Sequence, residues 1–245
     1  MQPDLHQQDK DLVDYWTKAG TASGKARLRF RMRSKRLVWN SVLAASLGLK
    51  RVIDIVASGC ALLLLSPVYA ATALLIKLED RGPIFFKQER IGYRGQRFYM
   101  WKFRSMVVNA DKLKDQLLEQ NEHKGNNVTF KMKRDPRITR IGRFIRKYSV
   151  DELPQFWNVF KGEMSIVGPR PCVPREVVMY SVEDRKRLLA KPGLTCFWQV
   201  AGRADINFEG QVRLDVEYIR SESVWLDLKL LFLTIPAVLL GKGAY

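Results

Sequence analysis

The chain has 245 residues, 47% of them hydrophobic, and its 42 lysines and arginines against 25 acids give a net charge of +17. That much apolar material excludes a wholly disordered chain, and the charge implies an anionic partner: nucleic acid, an acidic membrane face or a phosphorylated substrate. With only two histidines, His6 and His123, a Ser-His-Asp machine or a His-rich metal centre has little to use, so acid-base or nucleophilic work falls to carboxylates.

Residues 1–49 read as a basic extension, partly disordered or lying on a membrane surface. Arg27, Arg29, Arg31, Arg33, Lys35 and Arg36 crowd ten positions; they suit either a solvated tail or adhesion to anionic headgroups. Ile55 to Ile76 is a run of 22 residues without a charge. It is long enough to cross a bilayer core and starts too far from the N-terminus for an ordinary signal peptide. Ser66-Pro67 interrupts it. Proline removes one backbone donor and forces a bend, and the Ser66 hydroxyl is placed to help satisfy the backbone there.

Two topologies compete: a kinked crossing, or entry, a turn at Ser66-Pro67 and return to the same face. Each arm is only about 16–21 Å long as helix. Met1 to Arg51 holds 11 basic and 4 acidic residues, and the chain after the run is also basic, so both flanks favour the cytoplasm. The hairpin, residues 50–80, is the expected topology.

Residues 81–245 read as a small mixed α/β region. Ile84 to Phe86 and Arg97 to Met106 are expected strands around a Tyr93-Arg94-Gly95 turn. Val107 to Glu119 and Ile138 to Tyr148 are expected helices, the second with Ile138, Ile141 and Ile145 on one face. A strand over Met164 to Val167, a helix over Val173 to Ala190, an extended Thr195 to Val200 and a helix over Phe208 to Arg220 follow. VWLDLKLLFLTIPAVLLG, from Val224, carries Asp227, Lys229 and Pro236; an interfacial helix fits these better than a spanning one. Cys60, Cys172 and Cys196 match neither a zinc spacing nor a disulfide framework and read as packed thiols in a reducing compartment.

The densest chemistry lies in SVDELPQFWNVFKGEMSIVGPRP, Ser149 to Pro171. Ser149 to Glu152 matches a helix capping box. Pro154 prefers the first helical position instead. The chain here is therefore either kinked or begins its main helix at Pro154, with Leu153, Phe156, Trp157 and Phe160 docking it and Gly162 ending it. Adjacent acids diverge on a regular helix, so Asp151 and Glu152 meet one ligand only on a distorted turn. So held, they suit a divalent cation shared with substrate phosphates. Gly168-Pro169-Arg170-Pro171 is stiff and presents an arginine whose planar fork suits phosphate. Lys102 and Arg146 are further cation candidates.

These segments, with KRVIDIV, GPIFFKQERIG, FYMWKFRSM, DPRITRIGRFIRKYSVDELPQFWNVFKGEMSIVGPRP, KPGLTCFWQVAGR and LDVEYI, resemble the bacterial sugar transferase family, the monotopic polyprenyl-phosphate phosphoglycosyl transferases. The resemblance implies a re-entrant hairpin broken at Ser66 and Pro67, a cytosolic catalytic domain with interfacial amphipathic helices, and residence at the cytoplasmic face of the bacterial inner membrane among anionic lipids. It implies transfer of a sugar-1-phosphate from a nucleotide-sugar, usually a UDP-sugar, to polyprenyl (undecaprenyl) phosphate, with Mg2+ as cofactor. Such a step primes exopolysaccharide, capsule, O-antigen or glycoconjugate synthesis. Asp151 is then the nucleophile, and Glu152 its partner in metal placement or proton acceptance; both are the expected metal ligands. Lys102, Arg146 and Arg170 fall at positions expected to hold phosphate or nucleotide. No nucleic-acid partner is implied, and a homodimer is compatible. The chain departs from the usual pattern at Cys196-Phe197-Trp198-Gln199 and at Ala204. Two rivals remain at this level: a membrane-anchored basic protein binding anionic lipid or nucleic acid without chemistry, and a hydrolase using water as acceptor.

Overall fold

The computed structural model describes residues 17, 20–110, 113, 135–201 and 206–239. The chain forms two compact units, Met1–Leu49 and Lys50–Tyr245. In the first, the described residues from Ala22 on are helical and carry exposed Phe30, Leu37, Val38 and Trp39 among the basic side chains. His6 and His123, most of the expected Val107–Glu119 helix, and Ala204 lie outside the described residues.

Helix α1 runs Ala22–Leu64 and α2 runs Ser66–Asp80. Leu65 separates them, and the axis bends by 57° there. The bend follows from Pro67, which has no N–H for the Leu63 carbonyl four residues back. The Ser66 hydroxyl donates to that same carbonyl at 2.8 Å. Among the described residues no single helix is long and apolar enough to cross a membrane, although α1 and α2 together have the length and composition.

Strands β1, Phe85–Ile91, and β2, Arg97–Phe103, form an antiparallel hairpin closed by a 3-10 turn over Tyr93–Gly95. Arg94 and Gly95 take positive φ to reverse the chain. Helix α3, Arg140–Lys147, is capped by the Thr139 hydroxyl, which accepts from the Gly142 N–H, and by Glu79 of α2, whose carboxylate accepts from Arg140 N at 2.7 Å. Ile145 is buried, Ile141 packs beside it, and Ile138 makes a β-bridge with Met106 ahead of the helix.

A 3-10 turn over Val150–Glu152 leads to α4, Gln155–Lys161. Ser149 takes φ of 55° and its side chain makes no cap bond, so the capping box does not form. Pro154 begins the helix, and Gly162, at φ 88°, ends it with its N–H on the Asn158 and Val159 carbonyls. The docking face also differs from expectation: Trp157 and Phe160 are exposed, and Gln155, Asn158 and Val159 are buried. The cause is the β2 backbone. Asn158 donates to Tyr99 O at 2.7 Å and to Glu163, and it accepts from Trp101 N at 3.0 Å.

Strand β3, Ser165–Val167, pairs in parallel with β4, Gly193–Thr195. Two further expectations are corrected here. Val173–Ala190 is not one helix but α5, Pro174–Val178, followed by a 3-10 segment, Asp184–Leu189. Asp184 captures both the N–H and the hydroxyl of Ser181 and breaks the intervening turn. Thr195–Val200 is not extended beyond Thr195; α6, Phe197–Ala201, follows. The ladder stops because β3 runs into Pro169, which has no N–H to continue it. Helix α7, Phe208–Ser221, starts at the Asn207 cap and buries Val212, Asp215 and Tyr218. Helix α8, Val224–Leu239, buries Leu230 and exposes Trp225, Phe232 and Ile235. Cys172 and Cys196 are buried; Cys60 is exposed, on the outer side of α1, and is not a packed thiol.

The main core joins Phe98 and Met100 of β2, Val159 of α4, Met164 to Val167, Tyr218 and Leu230. Asn158→Ala is expected to lower stability by about 2–4 kcal/mol, because it strands a buried donor and acceptor of β2. Thermal melting of the full chain in detergent checks this; an unchanged midpoint would show that β2 does not need the side chain.

Candidate active site

The 3-10 turn decides how the two acids point. With three residues per turn, Asp151 and Glu152 leave the backbone about 120° apart. Asp151 turns into the protein and is 8% exposed, whereas Glu152 keeps a partly exposed side chain. They converge through one cation. Lys102 of β2 bonds the Glu152 carboxylate at 2.6 Å and also acts on Asp151.

The two carboxyls are driven apart in acidity. Burial pushes Asp151 up to about 6, opposed by Lys102 and Arg146 and reinforced by the Glu152 charge. Burial acts on Glu152 too, but the Lys102 charge and hydrogen bond, with Arg170 and Arg90, outweigh it and hold that carboxyl below its usual range. At neutral pH both are ionised, Asp151 with the smaller margin.

The three expected cations are thus gathered at the pair: Lys102 touches Glu152, Arg146 acts on Asp151, and Arg170 acts on Glu152. Arg170 is exposed at its tip, and its guanidinium lies 5.7 Å from the Trp198 ring centre. Its loop is held at both ends. Gly168 N donates to Thr195 O at 3.0 Å and Gly193 N to Pro169 O at 2.9 Å. A Cβ on Gly193 would overlap the Gly168 backbone, and one on Gly168 would overlap the Lys191 carbonyl oxygen.

The sequence reading missed Arg90. It is buried on β1, donates to Pro171 O at 2.9 Å and to Gln88, and so fixes the far end of the Arg170 loop. Burial and the Arg170 charge pull its guanidinium down to about 10, so it stays charged. The available signal was strand alternation, which puts Gln88 and Arg90 on one face. Also missed was Asp135, which binds the Arg137 guanidinium through both oxygens and is held below its usual range by Arg137 and Arg146 in spite of its burial. Buried polar atoms without a partner gather near Arg170: Arg90 Nε, Trp198 Nε1 and Asp215 Oδ1.

The match to the bacterial sugar transferase family covers residues 45–241. The chain belongs to the bacterial sugar transferase family. Among its relatives, galactosyl transferase CpsE of Streptococcus agalactiae serotype III (strain NEM316) is 46% identical over 196 residues, which is 80% of this chain and 43% of that protein. Exopolysaccharide production protein ExoY of Rhizobium meliloti (strain 1021) is 40% identical over 198 residues, covering 80% of this chain and 88% of that protein. UDP-glucose:undecaprenyl-phosphate glucose-1-phosphate transferase of Escherichia coli (strain K12) is 42% identical over 206 residues, 80% of this chain and 41% of that protein. The chain therefore spans about two fifths of CpsE and of the Escherichia coli protein, but most of ExoY.

Among the described residues, no three acidic, His or Cys side chains of this sugar transferase are grouped to hold a metal ion. Asp151 and Glu152 supply two carboxylates. That donor set fits Mg2+, which takes hard oxygens, retains waters and completes its shell with substrate phosphates; it does not fit a closed structural metal site.

Burial of Asp151 has a cost in the folded state. A carboxyl raised from 3.8 to about 6 binds its proton more tightly when folded. Its stabilising contribution is complete below the unfolded pKa and is lost as pH rises through 6. Asp151→Asn is therefore expected to gain roughly 1–3 kcal/mol at pH 7.5. The gain should vanish below about pH 4, where the wild-type carboxyl is neutral in both states. Thermal melts of both proteins across that range check it; a variant that melts lower at pH 7.5 contradicts it.

Proposed function

We propose that this chain transfers a sugar-1-phosphate from a nucleotide-sugar, a UDP-sugar by preference, to polyprenyl phosphate. The products are polyprenyl diphosphate-sugar and the nucleoside monophosphate. The observation that carries this reading is the buried Asp151 beside Glu152, ringed by Lys102, Arg146 and Arg170. Such a ring is suited to a diphosphate anion approached by an anionic nucleophile. The names of the Escherichia coli relative, with UDP-glucose as donor and undecaprenyl phosphate as acceptor, and of ExoY, in exopolysaccharide production, support the substrate class.

In this reading Asp151 attacks the sugar-linked phosphorus. The bond from that phosphorus to the bridging oxygen breaks, and UMP leaves with the electron pair. The lipid phosphate oxygen then attacks the aspartyl phosphosugar and releases Asp151. Glu152, kept ionised by Lys102, accepts a proton from the lipid phosphate when that arrives as the monoanion. Lys102, Arg146 and Arg170 neutralise phosphate oxygens and orient the donor. Mg2+, held by Asp151 and Glu152, would supply charge neutralisation at the diphosphate.

The proposal extends to placement. Residues 50–80 form a re-entrant hairpin, residues 81–245 a cytosolic domain with interfacial helices, and residues 1–49 lie along the anionic face of the bacterial inner membrane. If the 57° bend is shared equally, each arm slopes roughly 30° to the membrane plane, and α2 descends only about 11 Å. That depth keeps the hairpin within one leaflet of a core about 30 Å thick. The stacked, exposed Trp157 and Phe160, and exposed Leu63 and Leu64 at the bend, support a face that meets lipid.

The discriminating experiment is UMP release from a panel of UDP-sugars, with and without polyprenyl phosphate. We expect release to need the lipid and Mg2+, and Asp151→Asn to lose at least about 1,000-fold in rate. The rate of the wild type should fall on the acid side of about pH 6 as Asp151 takes up its proton. Release that persists without lipid would identify a hydrolase; no release from any donor would leave a binding protein.

Topology has its own test. Gly20→Cys and Gln120→Cys, each in a Cys60→Ser background, are expected to react with an impermeant thiol reagent from the same side of sealed vesicles. Reaction from opposite sides would establish a kinked crossing.

A further inference from the structure

Lys50 stands where the apolar arm begins, and its side chain is partly buried. All three of its N–H groups have acceptors: Val167 O at 3.1 Å, the Tyr218 hydroxyl oxygen at 2.8 Å and the Asp227 carboxylate. Tyr218 has one proton to give. It lies 2.7 Å from the other Asp227 oxygen and 3.1 Å from Val167 O. The shorter, charged acceptor takes the proton, leaving Val167 O to Lys50. Glu222 adds a second carboxylate 3.4 Å from Lys50. The network is therefore saturated, and it joins four elements: the arm α1, β3, α7 and α8.

Its one backbone member is the carbonyl of Val167, the last residue of β3. The next four residues are Gly168-Pro169-Arg170-Pro171. Both prolines fix φ, so little slack separates Val167 from the Arg170 side chain. A displacement at Val167 is passed to Arg170, whose far side is already tied by Arg90 to Pro171 O. Tyr218 is buried and the Lys50 and Asp227 side chains are largely so, which costs desolvation that an apolar trio would avoid, so packing alone does not account for them.

We propose that Lys50, Tyr218 and Asp227 are positioning residues that lock the Arg170 loop to the start of the membrane arm and to α8, so that the donor-binding arginine is held in register with the lipid surface. The kinetic part of this rests on the transferase reading above; the lock itself does not.

The test uses the full chain in detergent, with Tyr218→Phe and Lys50→Met as variants and Asn207→Ala, which uncaps α7 elsewhere, as control. Hydrogen exchange of the amides from Ile166 to Cys172 is read by mass spectrometry. The two lock variants are expected to exchange there roughly tenfold faster, and the control at the wild-type rate. Steady-state UMP release is then measured. Tyr218→Phe should raise the KM for the UDP-sugar roughly tenfold while the KM for polyprenyl phosphate stays within about twofold. Combined with Arg170→Ala it should do no further harm, since two residues acting through one contact are not additive.

Unchanged exchange in both lock variants overturns the proposal. So does an equal loss toward donor and acceptor, or a fully multiplicative loss in the double variant, because either signifies general destabilisation. If the wild type releases no UMP from any donor, the transferase reading fails, and the exchange result alone still decides whether the lock exists.

Discussion

The structure depends on side chains of the bent helix pair α1 and α2 gripping the folded region beside it. The first arm does so at three points: Lys50 on Val167 O, Arg51 on the Val159 and Phe160 carbonyls, and Asp54 on Ile166 N. The second arm adds Tyr69 on Leu153 O, Glu79 on the first amides of α3, and Asp80 on Arg104. All but the Asp80–Arg104 ion pair land on backbone: in the turn and helix α4 that follow Asp151, on β3 leading to Arg170, or at the start of α3, which carries Arg146. Apolar packing between arm and domain would tolerate sliding. Hydrogen bonds to main-chain groups fix a register, because a shifted partner leaves a buried polar group unpaired. The polar residues at the edges of the apolar run thus set where the candidate site stands relative to α2 and the end of α1.

Within the site, the two carboxylates do different work because their surroundings treat burial differently. Both lose hydration. Glu152 recovers it through a direct bond to Lys102 and the charges of Arg170 and Arg90, and its carboxyl falls below the usual range. Asp151 recovers only part, and rises to about 6. An incompletely solvated carboxylate is the more reactive nucleophile, and a firmly ionised one is the better anchor for a cation. The proposed roles follow from that asymmetry rather than from the residue types, which are nearly equivalent.

Much of this was legible in the sequence, and for identifiable reasons. The break at Ser66-Pro67, the β1–β2 hairpin, α3 and the site cluster all rest on local signals: a missing donor, a Gly-containing turn, a periodic face, a stiff proline pair around an arginine. What failed was non-local. Nothing near Asn158 indicates that it would bury itself to pair with Tyr99 and Trp101, nearly sixty residues upstream, and that pairing turned the aromatic face of α4 outward. Val173 to Ala190 looked continuous because a side chain capturing its own backbone, Asp184 on Ser181, leaves no trace in hydrophobic period. Asp227 was read as a charge that made α8 too polar to span; its partners, Lys50 and Tyr218, come from elements far off in sequence. Arg90 was hidden in a strand motif because a buried arginine there becomes meaningful only once Pro171 is beside it.

The proline pair around Arg170 joins these strands of the argument. Pro169 ends the parallel ladder by withholding an N–H, which frees the chain to leave the sheet just where the site begins. Pro171 then returns it to β1, where Arg90 takes its carbonyl and Ile91 and Cys172 exchange backbone bonds. Only a glycine can precede this excursion, because a Cβ on Gly168 would run into the Lys191 carbonyl. Rigidity so obtained has a consequence for electrostatics. A mobile arginine would collapse onto Glu152 or Asp215, both of which exert their charge on its surroundings, and neutralise them. Held over the Trp198 ring instead, its charge stays available at the mouth of the site, and the unpaired polar atoms around it remain unpaired. Stiff backbone is what keeps opposite charges close without letting them pair, and that condition is what a site for an incoming anion requires.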